Sequence, residues 1–133
     1  ADVTLVAPPT LLPPSLEGWP VKISTDIDAV LPTVDVCYLL RMQHERMTEA
    51  LIPSIREYSN RFGLNEKRAE LLPDHALIMH PGPMNRGVEI DAAVADHPNT
   101  VIIDQVRNGV AVRMAVLFLL LGSGTTWGGE ADV

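Results

Sequence analysis

The stretch His80-Pro81-Gly82-Pro83-Met84-Asn85-Arg86-Gly87 directly follows the apolar run Ala76-Leu77-Ile78-Met79. That run reads as a short buried strand. It must stop where Pro81 and Pro83 withhold two backbone donors and Gly82 permits close backbone approach. A loop of this kind at the carboxyl end of a strand is where open α/β sheets bind their ligands. Lacking two N–H groups, it offers mostly carbonyls, which suits a ligand that carries N–H donors. A rigid turn without chemistry has the same composition, so the loop alone decides nothing.

A second stretch has the same arrangement. Arg41-Met42-Gln43-His44-Glu45-Arg46 follows the apolar run Val36-Cys37-Tyr38-Leu39-Leu40. Arg41 and Gln43 stand two residues apart, so on an extended backbone their side chains point the same way. A guanidinium fork beside an amide suits a carboxylate plus an amine, the two ends of an amino acid. Glu45 stands four residues after Arg41 and can hold that guanidinium if the segment turns helically.

Together, R-x-Q-x-E-R and H-P-G-P-x-N-R-G resemble the aspartate-binding half of the aspartate carbamoyltransferase family, over residues 3–122. The resemblance implies that Arg41 grips the aspartate side-chain carboxylate with Gln43 as its polar neighbour. It implies that the backbone carbonyls of Pro81 and Gly82 accept from the carbamoyl amide and the attacking amine. Pro83 shapes the turn through a cis bond after Gly82, and His80 fixes the loop by hydrogen bonding. Glu45 and Arg46 would be pairs that switch as the site closes. Arg86 is read as structural, with Glu89 or Asp91 as its partner.

The resemblance further implies L-aspartate and carbamoyl phosphate as substrates, with no metal or organic cofactor. It implies an N-terminal carbamoyl-phosphate domain that this stretch lacks, and neighbouring subunits of a homotrimer. A regulatory or dihydroorotase partner is left open. An ornithine-type carbamoyltransferase is the first alternative. Such a protein would carry a cysteine in the proline loop and no arginine for a side-chain carboxylate, so Gly82 and Arg41 argue against it. A non-catalytic amino-acid-binding or assembly module is the other.

Charge and composition exclude other classes. A net charge of −7 over 133 residues argues against a nucleic-acid surface, although eight of the ten cations are arginines and can converge locally. The single cysteine, Cys37, reads as a reduced, buried thiol, which fits a cytoplasmic protein. His44-Glu45 lacks the second histidine of H-E-x-x-H, and His75, His80 and His97 have no ligand spacing, so no metal site is expected. The chain opens directly as a strand, so Ala1 is expected to be a boundary within a longer protein.

Five strands are expected, at residues 3–7, 20–24, 34–40, 76–79 and 100–103, the third buried on both faces. Asp26 is placed to cap a short helix. Ile52, Ile55, Tyr58 and Phe62 line one face of another, with Gly63 as its C-cap and Asn65 starting the next. Helices are also expected at 90–95 and 110–121. The fold class is therefore α/β, a doubly wound, mostly parallel, Rossmann-like sheet of about five strands with helices on both faces. Residues 1–122 form the domain and 123–133 a flexible tail. The final helix is too short to span a membrane and has Arg113 as its one polar residue. One small sheet cannot cover it on all sides, so it is expected to swing out, fray or pack against another copy.

Overall fold

Short strands of three or four residues set the architecture. The computed structural model describes residues 1–42 and 52–122. Strand β1 (Val3–Val6) pairs in parallel with β2 (Val21–Ser24), in the register Val3 with Val21 through Val6 with Ser24. Strand β3 (Val36–Tyr38) pairs in parallel with β4 (Leu77–Met79), with Val36 opposite Leu77 and Tyr38 opposite Met79. Parallel pairing needs crossover connections; the described part of the β3–β4 crossover carries two helices, whereas a single 3-10 turn (Pro9–Leu11) lies between β1 and β2.

Helix α1 (Ile27–Val30) starts at Asp26, whose carboxylate accepts from the Ala29 N–H at 3.1 Å. Helix α2 (Ile55–Phe62) starts at Ser54, whose hydroxyl accepts from the Glu57 N–H at 3.0 Å. Helix α3 (Glu66–Ala69) starts at Asn65, which accepts from the Arg68 N–H at 3.0 Å. Each cap satisfies a first-turn donor that has no partner within its helix. Helix α4 (Ala92–Ala95) and helix α5 (Ile102–Leu117) complete the set, and α5 runs on into a wider turn over Phe118–Gly122.

The core gathers one or two residues from nearly every element. Ile27, Leu31, Leu39, Leu64, Ile78, Ile90, Val94 and Ile102 form a single buried cluster. Burying each such side chain contributes about 1.5–3 kcal/mol. Arg68 ties two helices over this cluster, donating to Asp28 of α1 at 2.6 Å and to the Gly63 carbonyl at 2.8 Å.

Three expectations are corrected. The fifth strand is reduced to a single parallel bridge between Thr100 and Ile78, because the chain turns into α5 at Ile102. A four-residue apolar run does not distinguish strand from helix by its periodicity. Within the α/β, parallel architecture expected, which stands, the described residues hold two parallel strand pairs in place of about five strands in one sheet. Strand β3 is also not buried on both faces: Cys37 and Leu39 turn inward, whereas Val36, Tyr38 and Leu40 are exposed.

Gly63 ends α2, but not through the left-handed conformation expected of a glycine cap, since its φ is −66°. Its role is close approach. A Cβ there would lie 2.6 Å from the carbonyl oxygens of both Ser59 and Val88. The backbone continues past it into bonds from Leu64 N–H to the Glu89 carbonyl and from Asp91 N–H to the Leu64 carbonyl, each 3.0 Å.

Helix α5 begins earlier than expected and leaves the body of the protein. Within it Ile102 alone is buried, and Val110, Val112, Met114 and Leu117 are all more than half exposed. Among the described residues no helix is long and apolar enough to cross a membrane.

Candidate functional site

Because β3 and β4 are adjacent and parallel, both end on the same side of the molecule. The ladder runs one step past the strands through Leu39 N–H to the Met79 carbonyl at 2.8 Å. Leu39 therefore comes opposite His80, and Arg41 and the proline loop leave the sheet on the same side. A cross-link confirms the neighbourhood: the Asn85 side-chain amide donates to the Met42 carbonyl at 3.1 Å. Arg41 is half-buried and Met42 buried. Gln43, Glu45 and Arg46 lie outside the described residues.

His80 is wholly buried, and its ring is held from both sides. Its Nδ1 accepts from the Gly82 N–H at 2.8 Å, so that nitrogen carries no proton. Its Nε2 therefore bears the hydrogen and donates to Glu89 Oε1 at 3.2 Å. The same Glu89 oxygen accepts from the Asn85 N–H at 2.6 Å. Above the ring, the His80 N–H donates to the Gln105 side-chain oxygen at 3.0 Å, and the Gln105 amide donates to the Tyr38 hydroxyl at 2.9 Å.

These bonds decide what the loop shows to a ligand. Pro81 and Pro83 have no N–H, and the Gly82 N–H is spent on His80. Among the described residues no donor reaches the carbonyl oxygens of Pro81 or Gly82. Gly82 has φ +61°, a conformation open to glycine, and the Gly82–Pro83 bond is cis as expected. The loop presents acceptors only, beside a guanidinium.

Other candidates fall away from this centre. Arg86 pairs with Asp96 at 3.3 Å and donates to the Ala92 carbonyl, so neither Glu89 nor Asp91 is its partner. Arg86 and Ile90 are bridged across the turn 87–89, and Glu89 within that turn is bonded to the loop through His80 and Asn85. Burial pushes the Cys37 thiol up to about 11, which makes it a poor nucleophile. Burial, and then the nearby Glu89 carboxylate, raise the Tyr58 phenol above its usual range. Among the described residues no group of three His, Cys, Asp or Glu side chains converges to hold a metal ion.

Three contributors were not assigned a place in the site from sequence: Glu89, Asn85 and Gln105. The signal for Glu89 is an acidic residue wedged between Val88 and Ile90 in a segment that enters the core. Gln105 was hidden by reading residues 100–103 as a strand, which displaced the start of α5.

Residues 2–120 match the family described as "Aspartate/ornithine carbamoyltransferase, Asp/Orn binding domain". The chain belongs to this family. Among the carbamoyltransferases similar to it, the "Aspartate carbamoyltransferase catalytic subunit" of Acidothermus cellulolyticus is 61% identical over 124 residues, which is 93% of this chain and 38% of that protein. The protein of the same description from Parafrankia sp. is 60% identical over 122 residues, 92% of this chain and 40% of that one. The chain thus spans less than half the length of these relatives. Among solved carbamoyltransferases, aspartate transcarbamoylase from Trypanosoma cruzi, in complex with carbamoyl aspartate and phosphate, superposes with a TM-score of 0.72 at 26% identity, over 88% of this chain and 40% of that one. Ornithine carbamoyltransferase from Burkholderia thailandensis gives 0.70 at 24% identity, over 91% and 39%, a likeness of fold alone.

Proposed function

We propose that this chain is the aspartate-binding portion of an aspartate carbamoyltransferase of pyrimidine biosynthesis. The observation that carries the reading is the pairing of Arg41 with the acceptor-only His80–Pro83 loop at the ends of two adjacent parallel strands. The roughly 60% identity to proteins described as aspartate carbamoyltransferase catalytic subunits favours aspartate over ornithine.

In this reading the Arg41 guanidinium forms a forked, charge-assisted contact with the side-chain carboxylate of L-aspartate. Gln43 completes that side, with Glu45 bracing Arg41, and Pro83 shapes the turn that faces the carbamoyl group. The carbonyls of Pro81 and Gly82 accept hydrogens from the carbamoyl amide and from the aspartate amine, aiming the amine lone pair at the carbamoyl carbon. The new C–N bond forms, the C–O bond to phosphate breaks, and the proton given up by the amine is taken by the departing phosphate. N-carbamoyl-L-aspartate and phosphate result. Holding two reactants in line supplies much of the rate in such a transfer. Carbamoyl phosphate would be held by a further domain and by neighbouring subunits of a cytoplasmic homotrimer, so residues 1–122 alone contribute half a site.

The test compares this chain alone with the chain joined to the remaining part of the Acidothermus relative. Carbamoyl transfer to L-aspartate by the joined protein, none to L-ornithine, and none by the chain alone is the expected result. Turnover on ornithine, or turnover by the purified chain alone, would overturn it. Aspartate binding without turnover after joining would favour a binding module.

A further inference from the structure

We propose that Glu89 is a positioning residue for the proline loop, acting through His80 and Asn85 on the direction of the Pro81 and Gly82 carbonyls. Its functional consequence rests on the carbamoyltransferase reading. Its geometry does not.

The argument starts from the cost of the group. Glu89 is 1% exposed, and among the described residues its buried Oε2 atom has no hydrogen-bond partner. Burying a carboxylate with one oxygen unmatched is unfavourable, and packing alone would be served better by an apolar side chain. What the carboxylate does contribute is concentrated on Oε1. That single atom accepts from His80 Nε2 at one end of the loop and from the Asn85 N–H at the other.

A carboxylate oxygen can only accept, so Nε2 of His80 must hold the ring hydrogen. Nδ1 is then left bare to receive the Gly82 N–H. Had the ring carried its hydrogen on Nδ1, that hydrogen would face the Gly82 N–H and the loop would have to turn. Glu89 therefore selects the tautomer, the tautomer fixes Gly82, and the peptides on either side of Gly82 follow.

The carboxylate is itself well anchored. The Glu89 carbonyl accepts from Leu64 N–H at 3.0 Å, and the Ile90 carbonyl accepts from Gly87 N–H at 2.8 Å. Leu64 and Ile90 are both fully excluded from solvent. The loop is thus referenced to the core through a side chain rather than through its own two prolines.

Nitrogen NMR of the chain labelled at histidine and glycine tests the geometry. A protonated Nε2, a bare Nδ1, and a through-bond coupling between Gly82 N and His80 Nδ1 are expected. A ring protonated on Nδ1 or on both nitrogens, or a missing coupling, overturns the proposal without any variant being made. Glu89→Gln keeps an oxygen that can accept from both donors and should retain the tautomer. Glu89→Leu should lose it, and an unchanged ring in Glu89→Leu also overturns the proposal. In the joined enzyme, Glu89→Leu should lower kcat on the order of 100-fold, as misplacement of a positioning group does. KM for aspartate should move far less, and Glu89→Gln should recover most of the loss. A change confined to KM counts against positioning. Should the unaltered joined enzyme be inactive, the functional reading fails and the NMR result still decides the role of Glu89 in the loop.

Discussion

Replacing Gly63 by alanine tests the joint on which the loop's support depends. The added Cβ would sit 2.6 Å from two backbone carbonyl oxygens, those of Ser59 and Val88. Neither belongs to a flexible side chain, so α2 and the 88–91 segment must separate by several tenths of an ångström. Overpacking of this kind costs about 1–3 kcal/mol. The separation also strains the Gly63 N–H bond to Ser59 and the Leu64 N–H bond to Glu89, each contributing about 1 kcal/mol. Against this, alanine restricts the unfolded chain and returns about 0.4–1 kcal/mol. The net expectation is a loss of about 2–4 kcal/mol, a large part of the roughly 5–15 kcal/mol that holds a domain folded. Equilibrium urea unfolding followed by circular dichroism measures it. Gly109→Ala is the matched control: it lies in α5 with open space around it, so the same substitution there should stabilise by up to about 1 kcal/mol. Equal effects at the two positions, or a loss below about 1 kcal/mol at Gly63, would refute the close-approach argument.

Other substitutions probe the site and the surface. Arg41→Ala in the joined enzyme should raise KM for aspartate by about 10- to 100-fold, the equivalent of one charge-assisted contact, with carbamoyl-phosphate affinity nearly unchanged. The Cys37 thiol lies at about 11 when folded, against an ordinary 9.0. Unfolding then releases a proton between those values, so stability should be level below pH 9, fall as pH rises towards 11, and flatten beyond. A Cys37→Ala variant should show a smaller decline, starting at higher pH, in parallel denaturation series, the remainder coming from the raised Tyr58 phenol. Leu117 and Leu120 are 55% and 71% exposed, so changing both to Glu should alter stability by no more than about 0.5 kcal/mol. Sedimentation at falling concentration should show less self-association in that double variant than in the parent.

Much of this is legible in the sequence. Asp26 and Asn65 announce helix starts because a short acceptor side chain precedes a periodic apolar stretch. The two motifs announce a shared site because each follows an apolar run of strand length. What the sequence concealed is tertiary. Nothing local tells whether Glu89 answers Arg86, three residues away, or His80, nine away, since only the fold over Leu64 decides it. Gly63 has the composition of a helix cap, and its true constraint comes from Val88, distant in the chain. The run at 100–103 suits a strand by its β-branched residues, yet Ile102 reaches the core as the first residue of a helix. Tertiary contacts outweighed local preference there.

The parallel pairing of β3 with β4 has a consequence for how such a chain can diverge. The spacing between Arg41 and the proline loop is set by the register of Cys37 against Ile78, not by the length of chain between them. Helices α2 and α3 can lengthen, shorten or exchange surface residues while that spacing persists, provided Gly63 still admits the neighbouring backbone. A slip of the ladder by a single residue has the opposite character. It would turn Cys37 and Leu39 outward, and would carry Arg41 away from its partners in one move. Variation should therefore accumulate in the crossover and be nearly absent from the two three-residue strands, which contain no substrate-binding side chain of their own.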